Sequence, residues 1–247
     1  MVPDRLVLAS ASPRRLALLR NLGIEPEVRV AEVDETPRPS EDPAALVERL
    51  ACAKRAAVAG PGERVIAADT VGALDGEALG KPGTPERAST MLRRRSGRTH
   101  HVVTGVAVVG PSGRASTTVS TKVTWRTLSE AEVESYVASG EPLDKAGGYG
   151  LQGGGSDFVV ELVGSRENVI GLPVTTALEL LASVEADDDP WVQRPGSCPA
   201  SSEPSGSEGR RDQPLIVGEE DPYPEEHHNQ AGHGSRAQDQ EQERCLD

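Results

Sequence analysis

The charge along this 247-residue chain changes character near residue 185, and that break limits what can fold. From Glu185 onward there are 16 acids against 5 bases, whereas residues 1–184 hold 23 acids against 21 bases. The C-terminal stretch also carries seven prolines and six glycines, and its longest apolar run is Leu215-Ile216-Val217. Such a segment cannot bury enough apolar surface to offset the entropy of ordering it. Residues 185–247 are therefore expected to form an acidic, Pro/Gly/Ser-rich disordered tail. The core has to come from residues 1–184, a usual size for one domain. Aromatic residues are only 2% of the chain, so aliphatic packing must fill that core.

Within the first 184 residues, strand and helix patterns alternate. Arg5–Ser10 reads as a buried strand, and Pro13 suits the first turn of a helix carrying Leu16, Leu18, Leu19 and Leu22 up to Gly23. A short strand over Glu27–Val30 and an acidic loop over Glu32–Asp42 come next. Asp42 caps a second helix that starts at Pro43 and runs to about Ala59. Arg64–Asp69 reads as a strand ending in a carboxylate, and Thr84-Pro85-Glu86 opens a helix to about Arg95. Two strands, His101–Val109 and Thr117–Arg126, flank the turn Gly110–Gly113, and Ser129 with Glu132 forms a capping box. After the glycine-rich run Gly140–Gly155 come a strand at Phe158–Val163 and a helix from about Pro173 to Ser183. This order predicts an α/β domain with a mixed sheet.

Cys52, Cys198 and Cys245 do not make a disulfide framework, which fits a reducing compartment. No stretch approaches the roughly 18–20 apolar residues of a membrane span, and no signal peptide is evident. A cytoplasmic location without a membrane partner follows as the expectation. Acidity and scarce aromatics argue against a nucleic-acid groove, despite the local basic patch Arg93-Arg94-Arg95. His100 and His101 read as surface residues at a strand start. His227, His228 and His233 resemble a metal tract only in composition.

Four stretches could carry chemistry. Ser10-Ala11-Ser12-Pro13-Arg14-Arg15 joins a strand to a helix N-terminus, where free N–H groups and the helix dipole favour an anion. The plainer reading is a capped helix with surface arginines. Asp69-Thr70 puts a carboxylate where open α/β sheets place ligands, although a turn aspartate would look the same. Gly80-Lys81-Pro82 is not a P-loop, because Pro82 stands where Ser or Thr would meet magnesium. Lys81 and Lys54 are each either a point charge for phosphate or a solvated surface lysine. The Gly140–Gly155 run allows close backbone approach to a ligand and equally suits an ordinary loop.

Taken in order, these stretches resemble the Maf family of nucleotide pyrophosphatases. The matching residues are Leu8–Arg15, Val33-Asp34-Glu35, Ala53-Lys54, Ala68-Asp69-Thr70, Leu79–Pro82, Ser96-Gly97 and His101–Gly105. Further on they are Ser139–Gly147, Tyr149–Gly153 and Asn168–Pro173. The resemblance spans residues 5 to about 183 and leaves the tail uncovered.

It implies a three-layer, ITPase-like α/β domain with an elongated mixed sheet and a deep central cleft, often forming a homodimer. It implies hydrolysis of a nucleoside triphosphate between the α and β phosphates with a divalent cation, magnesium or manganese. Asp69 matches the position of the proton acceptor. Arg14, Thr70 and Gln152 match positions tied to substrate choice, in the form of the dTTP/UTP-cleaving subgroup. Ser10, Arg15, Lys54 and Lys81 are expected at the phosphates. Glu35 (or Asp34) is expected to complete a metal site in which Asp69 serves as base or as ligand. Other readings stay open: a 7-methylated guanine or a modified pyrimidine nucleotide as substrate, or a division or septum regulator that needs no catalysis.

Overall fold

The computed structural model describes residues 5–185, so the expected tail and its histidines lie outside the described residues. Among the described residues there are seven strands: β1 (Leu6–Ala9), β2 (Glu27–Val28), β3 (Arg64–Leu74), β4 (Glu77–Leu79), β5 (Thr99–Gly110), β6 (Gly113–Trp125) and β7 (Val159–Val163). The helices are α1 (Pro13–Arg20), α2 (Pro43–Val58), α3 (Pro85–Arg95), α4 (Glu130–Ala138), α5 (Arg166–Ile170) and α6 (Val174–Ser183). The sheet runs β2-β1-β3-β5-β6-β7, with β4 paired to β3 off this path. β1 pairs in parallel with β2 and β3, and every other pairing is antiparallel, so the sheet is mixed as expected.

Period-two alternation assigns the two faces. Leu6, Leu8, Ile66, Ala68, Val106 and Val108 meet Leu18 and Leu19 of α1 and Ala177, Leu180 and Leu181 of α6. The opposite face presents Val71, Ala73 and Val103 to Val47 of α2. Gly105 makes that second contact possible: a Cβ there would lie 2.3 Å from the Val47 carbonyl oxygen. A third cluster joins Leu92, Val102, Val123 and Trp125 to Val133, Tyr136, Tyr149 and Phe158.

Three readings of the sequence are corrected. β3 does not end at Asp69 but continues to Leu74, held along its length by β5 from Val65↔Val109 to Ala73↔His101. His100 is buried, because the long β5 turns it inward beside Trp125 and Tyr149. Arg95, assigned to a basic patch, has no solvent exposure, whereas Arg93 and Arg94 are exposed and paired with Glu130 and Glu77.

Candidate active site

A gap in the edge of β3 makes the site. The β1–β3 ladder ends at Ala9↔Ala67, and the β3–β4 ladder begins at Gly72↔Leu79. Between them Asp69 and Thr70 lie on a stretch of β3 with no strand beside it on that edge. The C-terminal end of the parallel strand β1 opens into the same gap and delivers the N-terminus of α1. A crevice beyond the carboxyl end of a parallel strand is a recurrent ligand position in open α/β sheets.

The gap opens into a cleft of about 690 Å³. Every side chain expected to act on a nucleotide lines it: Ser10, Arg14, Arg15, Glu35, Lys54, Asp69, Thr70, Lys81 and Gln152. Lys145 and Asp144, which the sequence reading did not single out, line it as well. Its walls therefore hold five cationic side chains and three carboxylates, inside a chain of net charge −13. The aliphatic side chains of Leu46, Leu50 and Ile170 complete the lining.

Alternation sends Asp69 and Thr70 to opposite faces of β3. Asp69 faces α2, whose sheet-facing stripe reads Val47, Leu50, Ala51, Lys54. A lysine on that stripe has to be buried, and Lys54 is only 8% exposed. Its Nζ lies 2.5 Å from Asp69 Oδ1 and 2.6 Å from Glu35 Oε1, tying two carboxylates from distant segments together. Burial raises the Glu35 pKa, but the hydrogen bond and charge of Lys54, helped by Lys81 and Arg15, more than offset it and leave the carboxyl below its usual range. Asp34 stays out of this group: it is exposed and its Oδ1 accepts from the Thr36 N–H at 2.9 Å.

Thr70 faces α1. Arg15 sits on the buried stripe of that helix with Leu18 and Leu19. Its Nε donates to the Gly171 carbonyl at 2.7 Å, and its terminal nitrogens donate to Ser10 Oγ and Thr70 Oγ1, each at 3.0 Å. The Thr70 and Thr104 hydroxyls lie 2.9 Å apart, and Thr104 Oγ1 donates to the Asn168 carbonyl at 3.2 Å. Burial lowers the Arg15 pKa, with Asp69 acting against that shift. Three of the five guanidinium N–H groups are thus committed to the wall, whereas Arg14, half-buried in the next position, has no such role.

The donor set fits a small hard cation. Among the described residues no group of three or more His, Cys, Asp or Glu forms a cage. Magnesium is commonly bound by one or two carboxylates while substrate phosphates and water supply the remaining oxygens, and Glu35 and Asp69 beside the open cleft offer such a pair.

The Maf family model, described as "Maf-like protein", matches residues 5–184. The chain belongs to the Maf family. A relative from Myxococcus xanthus, named dTTP/UTP pyrophosphatase, is 51% identical over 178 residues, covering 71% of this chain and 90% of the relative. Relatives with the same name from an Anaeromyxobacter species and from Moorella thermoacetica are 50% and 48% identical. They cover 72% and 74% of this chain, and 88% and 97% of their own lengths. The solved Staphylococcus aureus Ham1 protein aligns with 49% of this chain and 72% of its own, with a TM-score of 0.35 and 19% identity, too slight a likeness to argue from. No described helix is long and apolar enough to cross a membrane.

Proposed function

We propose that this Maf family member hydrolyses UTP and dTTP between the α and β phosphates, releasing the monophosphate and pyrophosphate. The observation that carries this reading is the Glu35–Lys54–Asp69 cluster in the strand gap beside the N-terminus of α1, in a cleft with an excess of cationic side chains. Attack of water at the α phosphorus leaves negative charge on the departing pyrophosphate. Lys81 and Arg14 supply positive charge there from the open wall, and Lys54 and Arg15 supply it from fixed, buried positions. Asp69 holds the attacking water and takes its proton, while Glu35 holds Lys54 close.

Glu35 and Asp69 would hold magnesium or manganese. When bound, such an ion adds charge neutralisation at the phosphate oxygens. Cytoplasmic location belongs to the same proposal, since nucleoside triphosphates are an intracellular pool. So do a homodimer as the assembled form and a catalytic domain ending near residue 184, where the family match also ends.

Gln152 stands exposed on the cleft. Its amide offers an acceptor and a donor, which complement the N–H and carbonyl of uracil or thymine. Guanine presents two adjacent donors, better matched by a carboxylate. Gln152→Glu is therefore expected to shift preference toward GTP. Magnesium-dependent pyrophosphate release from a panel of normal and modified nucleoside triphosphates tests the whole reading. Preferential turnover of GTP or 7-methyl-GTP by the parent protein would overturn the pyrimidine assignment, and no release from any of them would overturn the enzyme.

A further inference from the structure

The glycine-rich run does not behave as a loose loop. Four of its glycines close around one carboxylate and one phenol. Tyr136, on the inner face of α4, donates its hydroxyl to Glu141 Oε1 at 2.9 Å. The same hydroxyl accepts from the Gly150 N–H at 3.2 Å, and Glu141 Oε2 accepts from the Gly154 N–H at 3.0 Å. Burial pushes the Tyr136 pKa up, so the phenol stays protonated and able to donate.

A Cβ on Gly153 would lie 2.2 Å from Glu141 Oε1, and one on Gly150 would lie 3.0 Å from that oxygen. A Cβ on Gly155 would lie 3.0 Å from the Tyr136 hydroxyl. The glycines are small so that the backbone can wrap the pair. Lys145 fastens the base of the turn, its Nζ donating to the Glu141 carbonyl at 2.7 Å.

Gln152 lies between the two points of attachment. Gly150 is held two residues before it through Tyr136, and Gly154 two residues after it by Glu141 itself. We infer that Glu141 is a positioning residue for base selection: its carboxylate, with the Tyr136 hydroxyl, fixes the backbone from which Gln152 addresses the pyrimidine. The inference rests on the proposed reading of Gln152. Glu141 does not line the cleft, and its carboxylate is hydrogen-bonded to Tyr136 and Gly154 rather than to the Asp69 cluster, so its loss is expected to weaken discrimination rather than chemistry.

The test is steady-state pyrophosphate release from UTP and GTP by the full chain carrying Glu141→Ala, Glu141→Gln or Gln152→Ala, and by the Glu141→Ala/Gln152→Ala double variant. Glu141→Ala is expected to lower the UTP-over-GTP ratio of kcat/KM about tenfold, mainly through KM for UTP, with kcat for UTP within about threefold of the parent. Glu141→Gln keeps one acceptor and is expected to lose about threefold. In the Gln152→Ala background Glu141→Ala should change the ratio little further, because both act on one contact.

If Glu141→Ala does not fold, Tyr136→Phe removes only the hydroxyl and is expected to move the ratio the same way. A variant that loses UTP and GTP turnover in equal proportion, or losses that simply add in the double variant, would overturn the inference. A parent protein with no preference for UTP overturns the reading of Gln152 and this inference with it. A parent that prefers UTP alongside variants that keep that preference overturns this inference alone.

Discussion

The cationic side chains of the cleft and the buried Arg95 are built on opposite terms. In the cleft, Lys54 is shared between two carboxylates and Arg15 is shared among two hydroxyls and a carbonyl. Both cations have partners that an incoming phosphate can replace or join. Behind the wall, Arg95 is completely buried and none of its three guanidinium nitrogens has a hydrogen-bond partner among the described residues. It faces the rings of Trp125 and Tyr149, 5.8 Å and 5.6 Å from their centroids. His100 lies beside it, its Nε2 3.0 Å from the Tyr149 hydroxyl. Burial pushes the His100 pKa down to about 3, with Arg95 and His101 adding to the shift. The difference shows that positive charge alone does not mark a phosphate site. Exchangeable partners facing open space do.

That contrast can be broken at its strongest point first. Asp69→Asn keeps the shape of the cleft and removes the proton acceptor, so pyrophosphate release should fall about 10³-fold. Nucleotide affinity, measured by calorimetry, should change only severalfold. Retained release would remove Asp69 from the chemistry.

Arg15→Met is the next largest effect. It strips three hydrogen bonds from the wall and should cost about 3 kcal/mol in urea unfolding, together with most of the activity. Unchanged stability would mean that Arg15 serves ligand alone.

The buried group is read by pH. The folded pKa of His100 is depressed, so the unfolded chain takes up this proton first. Its contribution is present in full above the unfolded value of about 6.5 and declines as pH falls toward about 3. Between pH 6.5 and 4.5 the loss should approach 2–3 kcal/mol, and His100→Gln should remove that part of the slope. Identical slopes for parent and variant would show that the histidine is not held neutral.

Smallest, and opposite in sign, is Arg95→Met. Replacing a buried unpaired cation with an apolar side chain of similar length should stabilise the fold by about 1–2 kcal/mol and leave turnover nearly unchanged. Lost activity in that variant would make the two groups one functional unit after all.

Local signals foretold much of the fold. The caps Ser12, Asp42, Thr84 and Ser129 and the prolines at positions 13, 43 and 85 stand where helix starts were expected. The short elements β4 and α5 were missed because three and five residues carry no readable period. The lengths of β3 and β5 were underestimated because Asp69, Thr70, Thr99 and His100 look like strand ends until a partner strand supplies the ladder. In the same way His100 and Arg95 read as surface residues, since nothing in the adjacent chain shows what packs over them. Lys54 was the reverse case: its place on the apolar stripe of α2 already required burial, and that signal could have decided between its two readings.

Alone, the sequence determined the longer helices and the presence of most strands, which family the chain resembles, and which side chains are chemically able to meet a polyphosphate. Those are properties of residue type and short-range spacing. Only the tertiary structure decided that β3 runs past the end of β1, that Asp69 and Thr70 face opposite sides of the resulting gap, and that Glu35 and Lys54 reach the same carboxylate from separate segments. Such facts depend on strand register and on how closely α2 can approach Gly105, which are set by contacts between residues far apart in the chain.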